Sequence, residues 1–391
     1  MFDFDFGLGD DIGMLRESVR AFADDRIAPR AADIDRTNKF PRDLWPGLGE
    51  LGLLGITVEE HLGGSGLGYL AHVVAMEELS RASASVGLSY GAHSNLCVNQ
   101  LRCWGSDEQK ARYLPRIAAG KLRLQAFGVT EPTVGSDTTR IQTTAERVDG
   151  GYVVSGQKVF TSRALYSDLM LLLARTTPLD EVVKRSEGLS VFLVDMKAAG
   201  DALTIRPLRT MMNHATTEVF LDGVELPADA LVGEEGQGFR YILDGMNAER
   251  VLIAAECIGD GRWFVEKAAR YASEREVFGR PIGANQGVQF PVARAYAAIE
   301  AADLMRYKAA WLFEQGEPAG AEANMAKLLA SEASWAAANA CLDTHGGWGF
   351  AEEYDVERKF RETRLYTIAP VSNNLILAYL GQHVLGMPRS Y

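Results

Sequence analysis

Two stretches of this chain carry side chains whose type and spacing suit chemistry. The first centres on Glu249. Ile242, Met246, Glu249 and Ile253 are spaced by 4, 3 and 4 residues, which predicts that all four share one stripe of a single helix. A carboxylate on an apolar stripe is costly to bury charged, so its pKa is expected to rise above about 4.3. That is the tuning a general base needs near neutral pH. Spacing alone also fits a buried ion pair with another segment, and by itself favours that reading.

The second stretch is Thr130-Glu131-Pro132-Thr133-Val134-Gly135-Ser136-Asp137. Its hydroxyls, with backbone N–H groups freed by Gly135, suit a nest for a polyanion. The same residues taken alone suit, and slightly favour, an ordinary loop between helix and strand.

These groups must be positioned by three zones of different periodicity. From about Asp11 to Lys121 the pattern is helical, through Met76–Arg81 and Val98–Leu101, and Ser106-x-x-Gln109 opens a run that ends at Gly120 with a capping box. From Leu122 to Val232 the period becomes two. Tyr152–Val154, Leu169–Ala174, Leu189–Val194, Leu203–Ile205 and Glu218–Leu221 read as strands, with turns at Asp149-Gly150-Gly151 and Asp222-Gly223. No long helix interrupts them, so an antiparallel sheet or small barrel is expected. Beyond Gly236-Gln237-Gly238 helical spacing returns, with Ala-rich runs at 294–312 and 321–341, separated by a loop at Gln315–Gly320, as in a helical bundle. The fold class is therefore α+β and mostly helical. Its expected domains are an amino-terminal helical one (1–121), a central β-sheet one (122–234) and a carboxy-terminal bundle (235–391).

Composition narrows the function. The 391 residues are 47% hydrophobic and 24% charged, an ordinary globular profile allowing two or three units. A net charge of −12 argues against nucleic-acid binding. No apolar run reaches the roughly 18–20 residues that span a bilayer. The opening residues resemble neither a signal nor a transit peptide. Cys97, Cys103, Cys257 and Cys341 form no CxxC and read as buried thiols in a reducing, cytoplasmic setting. The six histidines lack metal-site spacing. Gly47-Leu48-Gly49-Glu50-Leu51-Gly52 matches GxGxxG, but Pro41–Pro46 before it is no strand, so it reads as a helix end or turn and not a dinucleotide fingerprint.

Three more segments complete a pattern: Tyr271-Ala272-x-x-Arg275-x-x-Phe278-Gly279-Arg280-Pro281-Ile282-x-x-x-Gln286, Asp343-Thr344-His345-Gly346-Gly347-Trp348-Gly349-Phe350, and Arg361-Glu362-x-Arg364. Together with the TEPxxGSD loop they resemble the acyl-CoA dehydrogenase family along nearly the whole chain. Gly63–Tyr69 and Gly87–Cys97 are especially similar to its isovaleryl-CoA dehydrogenase branch.

The resemblance implies an acyl-CoA dehydrogenase-like fold and a homotetramer holding FAD, with electron-transfer flavoprotein as acceptor. Val129 and Thr130 would meet the flavin ring, and Ser136 would lie near the phosphates and the pantetheine of the thioester. Phe160 stands where a Trp usually covers the flavin, and Ser162 where a hydroxyl reaches flavin N5. Arg275, Phe278 and Gln286 would contact a neighbouring subunit's FAD, completed by Gly346, Gly347, Ser372 and Asn374. Asp343 stands where a Gln is common, and Met212-Asn213-His214 replaces a usual Arg-Gly-Ser near the substrate entrance.

The same resemblance locates the base. Many members draw it from a Tyr-Glu-Gly-Thr segment, and here Ala369-Pro370-Val371-Ser372 stands in that place. Proline takes no proton. Other branches use a Glu-Arg pair on an earlier helix, matched by Glu249-Arg250, with Arg250 expected to orient the neighbourhood by ion pairing. The small Ala369 and Pro370 suggest room for a methyl branch near Cβ, because pocket volume discriminates apolar groups by roughly 1–3 kcal/mol per methylene. The expectation is FAD-dependent α,β-dehydrogenation of a short branched acyl-CoA such as isovaleryl-CoA, in fatty acid or branched-chain amino acid catabolism. The alternatives are a carrier-protein-bound acyl substrate, or a flavin-binding member that has lost dehydrogenation.

Overall fold

The computed structural model describes residues 8–212 and 214–389. They form two compact units. One joins the described residues up to Thr37 with Gly68–Leu88 and the described residues from Asn247 on; the other comprises the described residues of Asn38–Leu67 and Ser89–Met246.

The second unit is built on one sheet of eight strands: β1 (Leu124–Gly128), β2 (Thr144–Val148), β3 (Gly151–Ser162), β4 (Leu169–Arg175), β5 (Leu189–Asp195), β6 (Leu203–Pro207), β7 (Thr216–Pro227) and β8 (Leu231–Val232). Their order is β6-β7-β3-β2-β4-β5-β8, with β1 also on β4. The pairing is mostly antiparallel, as expected, but β1 and β2 both meet β4 in parallel. The β2–β3 hairpin separates β1 from β4 in sequence, and that connection is long enough for β4 to return in the same direction.

Every residue of β4 is buried. Leu169, Leu171 and Leu173 join a core with Val98, Leu101, Leu114 and Ile117 from the helices, whereas Met170, Leu172 and Ala174 join a core with Val154, Val219, Leu221 and Val224 from the sheet itself. Alternation across one strand therefore feeds two cores.

Local signals hold in several places. The helix Asp107–Ala118 opens on the predicted capping box of Ser106 and Gln109. Gly47–Gly52 lies in the helix Leu44–Glu50 and the turn after it. Asp222-Gly223, however, is no turn. It lies inside β7, where Val154 pairs with Val224 and Gly156 with Leu221, so β7 carries an extra residue. Gly223 takes φ +69°, the left-handed geometry that a bulge of this kind requires.

The other unit packs long helices, among them Asp10–Phe22, Tyr69–Ala82, Met246–Glu274, Gln286–Glu314 and Gly320–His345. Buried alanines such as Ala302, Ala309, Ala326 and Ala337 allow close helix approach. Glu77 ties four of these helices together. It is 1% exposed and pairs with Arg262, with Arg306 at 2.8 Å and with Arg16 at 3.3 Å. No helix among the described residues is long and apolar enough to cross a membrane.

Candidate active site

Val129 and Thr130 leave β1 and run beside β3. Val159 donates its N–H to Thr130 O at 2.9 Å. The ammonium of Lys158 donates to Val129 O at 3.2 Å and to Glu131 Oε1 at 2.9 Å. Glu131 also accepts from the N–H of Gln142 at 2.7 Å and from the N–H and hydroxyl of Thr143 at 2.9 and 2.7 Å. Burial pushes the Glu131 carboxyl up, but the Lys158 charge, the Thr143 hydroxyl and the Gln142 amide outweigh it and hold the group below the usual value. Burial draws Lys158 down to about 8 against the pull of Glu131.

The loop continues through a backbone pair in which Glu131 and Val134 exchange hydrogen bonds at 3.0 and 3.1 Å. Gly135 does not adopt a positive φ. The Glu131–Val134 pair makes the turn. What Gly135 supplies is openness, because a Cβ there would meet nothing within 4 Å. Ser136 follows it, exposed. Arg175 holds the far side of the segment, donating to Thr139 O at 2.7 Å and to Glu187 O at 3.1 Å.

Strand β3, which carries Phe160 and Ser162, meets Val129 and Thr130 through Lys158 and Val159. Lys158 pairs with Val219 and Thr161 with Thr217, so β3 bulges by one residue between them. Phe160 sits in that bulge with φ +57° and 61% exposure. A bulky residue with positive φ costs on the order of 1–3 kcal/mol, and strain of that kind gathers at ligand sites. Phe160 thus presents a bare aromatic face. His214, by contrast, is buried, bonded to Met212 O and Thr216, and its pKa is lowered to about 3 by burial and by the Arg163 charge. Asn213 lies outside the described residues.

Glu249 occupies the first turn of Met246–Glu274 and is 3% exposed. A carboxylate there faces the positive end of aligned peptide dipoles. The predicted four-residue stripe is interrupted, because Ile242 belongs to a separate helix, Gly238–Asp244, that ends at Gly245. A Cβ on Gly245 would lie 2.7 Å from the Gln100 amide nitrogen, so no other residue fits at this junction without a shift. Met246, Glu249 and Ile253 remain on one helix. Arg250 is no ion-pair partner of the kind expected: it donates to Asn247 Oδ1 at 2.9 Å, and its Nε is buried with no partner among the described residues. An unsatisfied buried donor beside Glu249 suits a substrate acceptor.

Further along that helix come Glu256 and Asp260, which sequence spacing does not single out. Glu256 is fully buried, and burial, then the charges of Asp260 and Glu249, push its carboxyl up. Asp260, raised to about 6 chiefly by burial, pairs with buried Lys359 at 2.6 Å. Ala369 is half-buried and Pro370 exposed. The segment after them is pinned by Lys327, which donates to Val371 O at 2.7 Å and to Asn373 Oδ1 at 2.9 Å. Ser372 caps the helix Asn373–Tyr379, on which Asn374 lies exposed.

A cavity of about 620 Å³ gathers Arg275, Gly346 and Gly347 with Asp343, His345 and Trp348. Gly346 has φ +57° and ψ −133°, which turns the chain as the helix Gly320–His345 ends. The Arg275 guanidinium suits a diphosphate, and the His345 ring stacks on Tyr271 at 4.1 Å. Phe278 and Gln286 are exposed and do not line this cavity, nor do Ser372 and Asn374. Phe278 projects fully into solvent from a residue with φ +55°. The bare ring of Phe160 and the open loop at Ser136 suit parts of a flavin dinucleotide, and separately the cation in this cavity suits a diphosphate. No group of three or more His, Cys, Asp or Glu side chains suited to a metal occurs among the described residues.

Comparison with known proteins agrees. Family models for the amino-terminal, middle and carboxy-terminal domains of acyl-CoA dehydrogenase match residues 9–121, 126–224 and 236–385. An acyl-CoA dehydrogenase of Bacillus subtilis is 36% identical, over 95% of this chain and 97% of that protein. A mitochondrial isovaleryl-CoA dehydrogenase of Oryza sativa is 35% identical, over 95% and 90%. Among solved structures, a glutaryl-coenzyme A dehydrogenase complex with glutaryl-CoA superposes with TM-score 0.93 at 30% identity, covering 100% of this chain and 98% of that one. An FAD complex of PigA gives 0.91 at 28%, covering 99% and 100%, and the prolyl acyl carrier protein oxidase AnaB gives 0.90 at 26%, covering 97% and 100%. With all three domain models matched in order, the chain belongs to the acyl-CoA dehydrogenase family, FAD-dependent enzymes that dehydrogenate acyl thioesters.

Proposed function

We propose that the substrate is a short branched acyl-CoA such as isovaleryl-CoA, oxidised to its 2-enoyl thioester with Glu249 as the base. The observation that carries this is a buried acid at Glu249, where an Arg follows it, combined with a proline in place of the other family base. Glu249 removes the Cα proton and then holds it as a neutral carboxyl, a form its burial tolerates. Bound FAD supplies at N5 the acceptor for the hydride that leaves Cβ. Val129, Thr130, Phe160 and Ser162 orient the ring, and Ser136 serves the phosphates and pantetheine. Arg275, Phe278, Gln286, Gly346, Gly347, Ser372 and Asn374 serve the rest of the dinucleotide, in a homotetramer that passes electrons to electron-transfer flavoprotein. Arg250 offers its buried N–H to the substrate. Ala369 and Pro370 leave space for the branch. Domain limits at 121/122 and 234/235 and a cytoplasmic location complete the reading.

Anaerobic bleaching of bound FAD by a panel of acyl-CoAs tests it, repeated with Glu249→Gln. Straight-chain butyryl- or octanoyl-CoA outperforming every branched thioester would overturn the substrate, and a mutant bleaching at the wild-type rate would overturn the base. Likeness to a carrier-protein oxidase supports a second reading, an acyl group on a carrier protein. Turnover confined to the carrier-bound form would select it.

A further inference from the structure

Lys158 is wholly buried, yet it does more than neutralise Glu131. Its ammonium also bonds the carbonyl oxygen of Val129 at 3.2 Å. In a trans peptide the C=O and the N–H point to opposite sides. The Val129–Thr130 amide therefore carries a cation on its oxygen side and directs the Thr130 N–H away from it. That N–H has no partner among the described residues. The next carbonyl, that of Thr130, is fixed by Val159 N–H at 2.9 Å, so the peptides on both sides of Thr130 are anchored.

Building on the assignment of Val129 and Thr130 to the flavin ring, we infer that Lys158 is a positioning residue that raises the reduction potential of the bound flavin through the Val129–Thr130 amide. A cation on a carbonyl oxygen draws electrons from the amide and strengthens the opposite N–H as a donor. A stronger donor favours whichever form of its acceptor is richer in electrons, as in preorganised oxyanion sites. Glu131 opposes this. Its carboxylate takes part of the field of Lys158, so the two members of one ion pair act with opposite sign.

The test uses the holoenzyme and reads the midpoint potential of bound FAD, with FAD affinity as a second measurement. Lys158→Met should lower the potential, by about 30 mV if reduced flavin loses tenfold in relative affinity. Glu131→Gln should raise it. Each variant keeps partners for the group left behind. Without the lysine, Glu131 retains Thr143 and Gln142; in Glu131→Gln, the side-chain amide oxygen still accepts from Lys158. Glu131→Gln/Lys158→Met, which strands no charge, should fall between the two and below wild type. Shifts of the same sign in both single variants, or none, would overturn the inference. Loss of oxidised FAD from a folded double variant, or a double variant that does not fold, would assign the pair to scaffolding and overturn it too. Wild-type protein that retains no FAD would instead refute the flavin reading on which this rests.

Discussion

Lys158 Nζ lies 2.9 Å from Glu131 Oε1, with the lysine side chain 0% and the glutamate 4% exposed. This contact joins the motif loop to the strand that carries Phe160. Glu131→Ala leaves an ammonium buried without a counter-charge, a change that typically costs about 3–5 kcal/mol. Urea unfolding should show a loss of that size for Glu131→Ala and a smaller one for Glu131→Gln.

The pair also predicts a pH dependence. Folded Glu131 titrates below its unfolded value of 4.5, so its contribution is present above pH 4.5 and is lost as pH falls through the folded value. Lys158 works in the other direction. Its folded value of about 8 lies below the unfolded 10.5, so the penalty for the buried ammonium persists below pH 8 and is relieved between 8 and 10.5. Unfolding free energies measured from pH 7 to 3 should converge for wild type and Glu131→Gln below pH 4.5. A gap that stays constant would contradict this.

Glu249→Gln should keep FAD and fold while slowing substrate-driven bleaching by roughly 10²–10⁴-fold, the usual contribution of a general base. Stopped-flow absorbance at the flavin band measures it directly.

Ala369→Tyr should fill the space assigned to the branch. Discrimination of about 10–200-fold per methylene-sized group is typical of an apolar pocket. kcat/KM should therefore fall by that order on isovaleryl-CoA and change less on butyryl-CoA.

Glu77→Ala removes the anion shared by Arg16, Arg262 and Arg306. Burial pushes this carboxyl up, but the three guanidinium charges outweigh it and hold it far below the usual range. Each arginine keeps another carboxylate, Glu78 for Arg16 and Asp303 for Arg262 and Arg306, so a loss of up to about 3–5 kcal/mol is expected by denaturant titration.

Much of the fold is legible where local chemistry decides it. The capping box of Ser106 and the strand alternation of residues 169–174 depend on neighbours in sequence. Asp222-Gly223 reads as a turn because a Gly in left-handed conformation serves a turn and a bulge equally well. The Glu249 stripe runs one turn too long in the sequence, because Gly245 fits a helix by spacing, whereas the helix Gly238–Asp244 ends on it. Glu131 and Lys158 are 27 residues apart, and nothing in the sequence announces their contact. Resemblance places Phe160 at the flavin, but its positive φ arises from the register between β3 and β7.

β4 has a consequence for how this protein can change over generations. Because successive residues of one strand serve two separate interiors, β4 is a party wall with no face free to vary. A one-residue insertion would exchange every side chain between the two rooms. Substitutions there need compensation on whichever side they intrude, so lineages of this chain should diverge around β4 far sooner than within it.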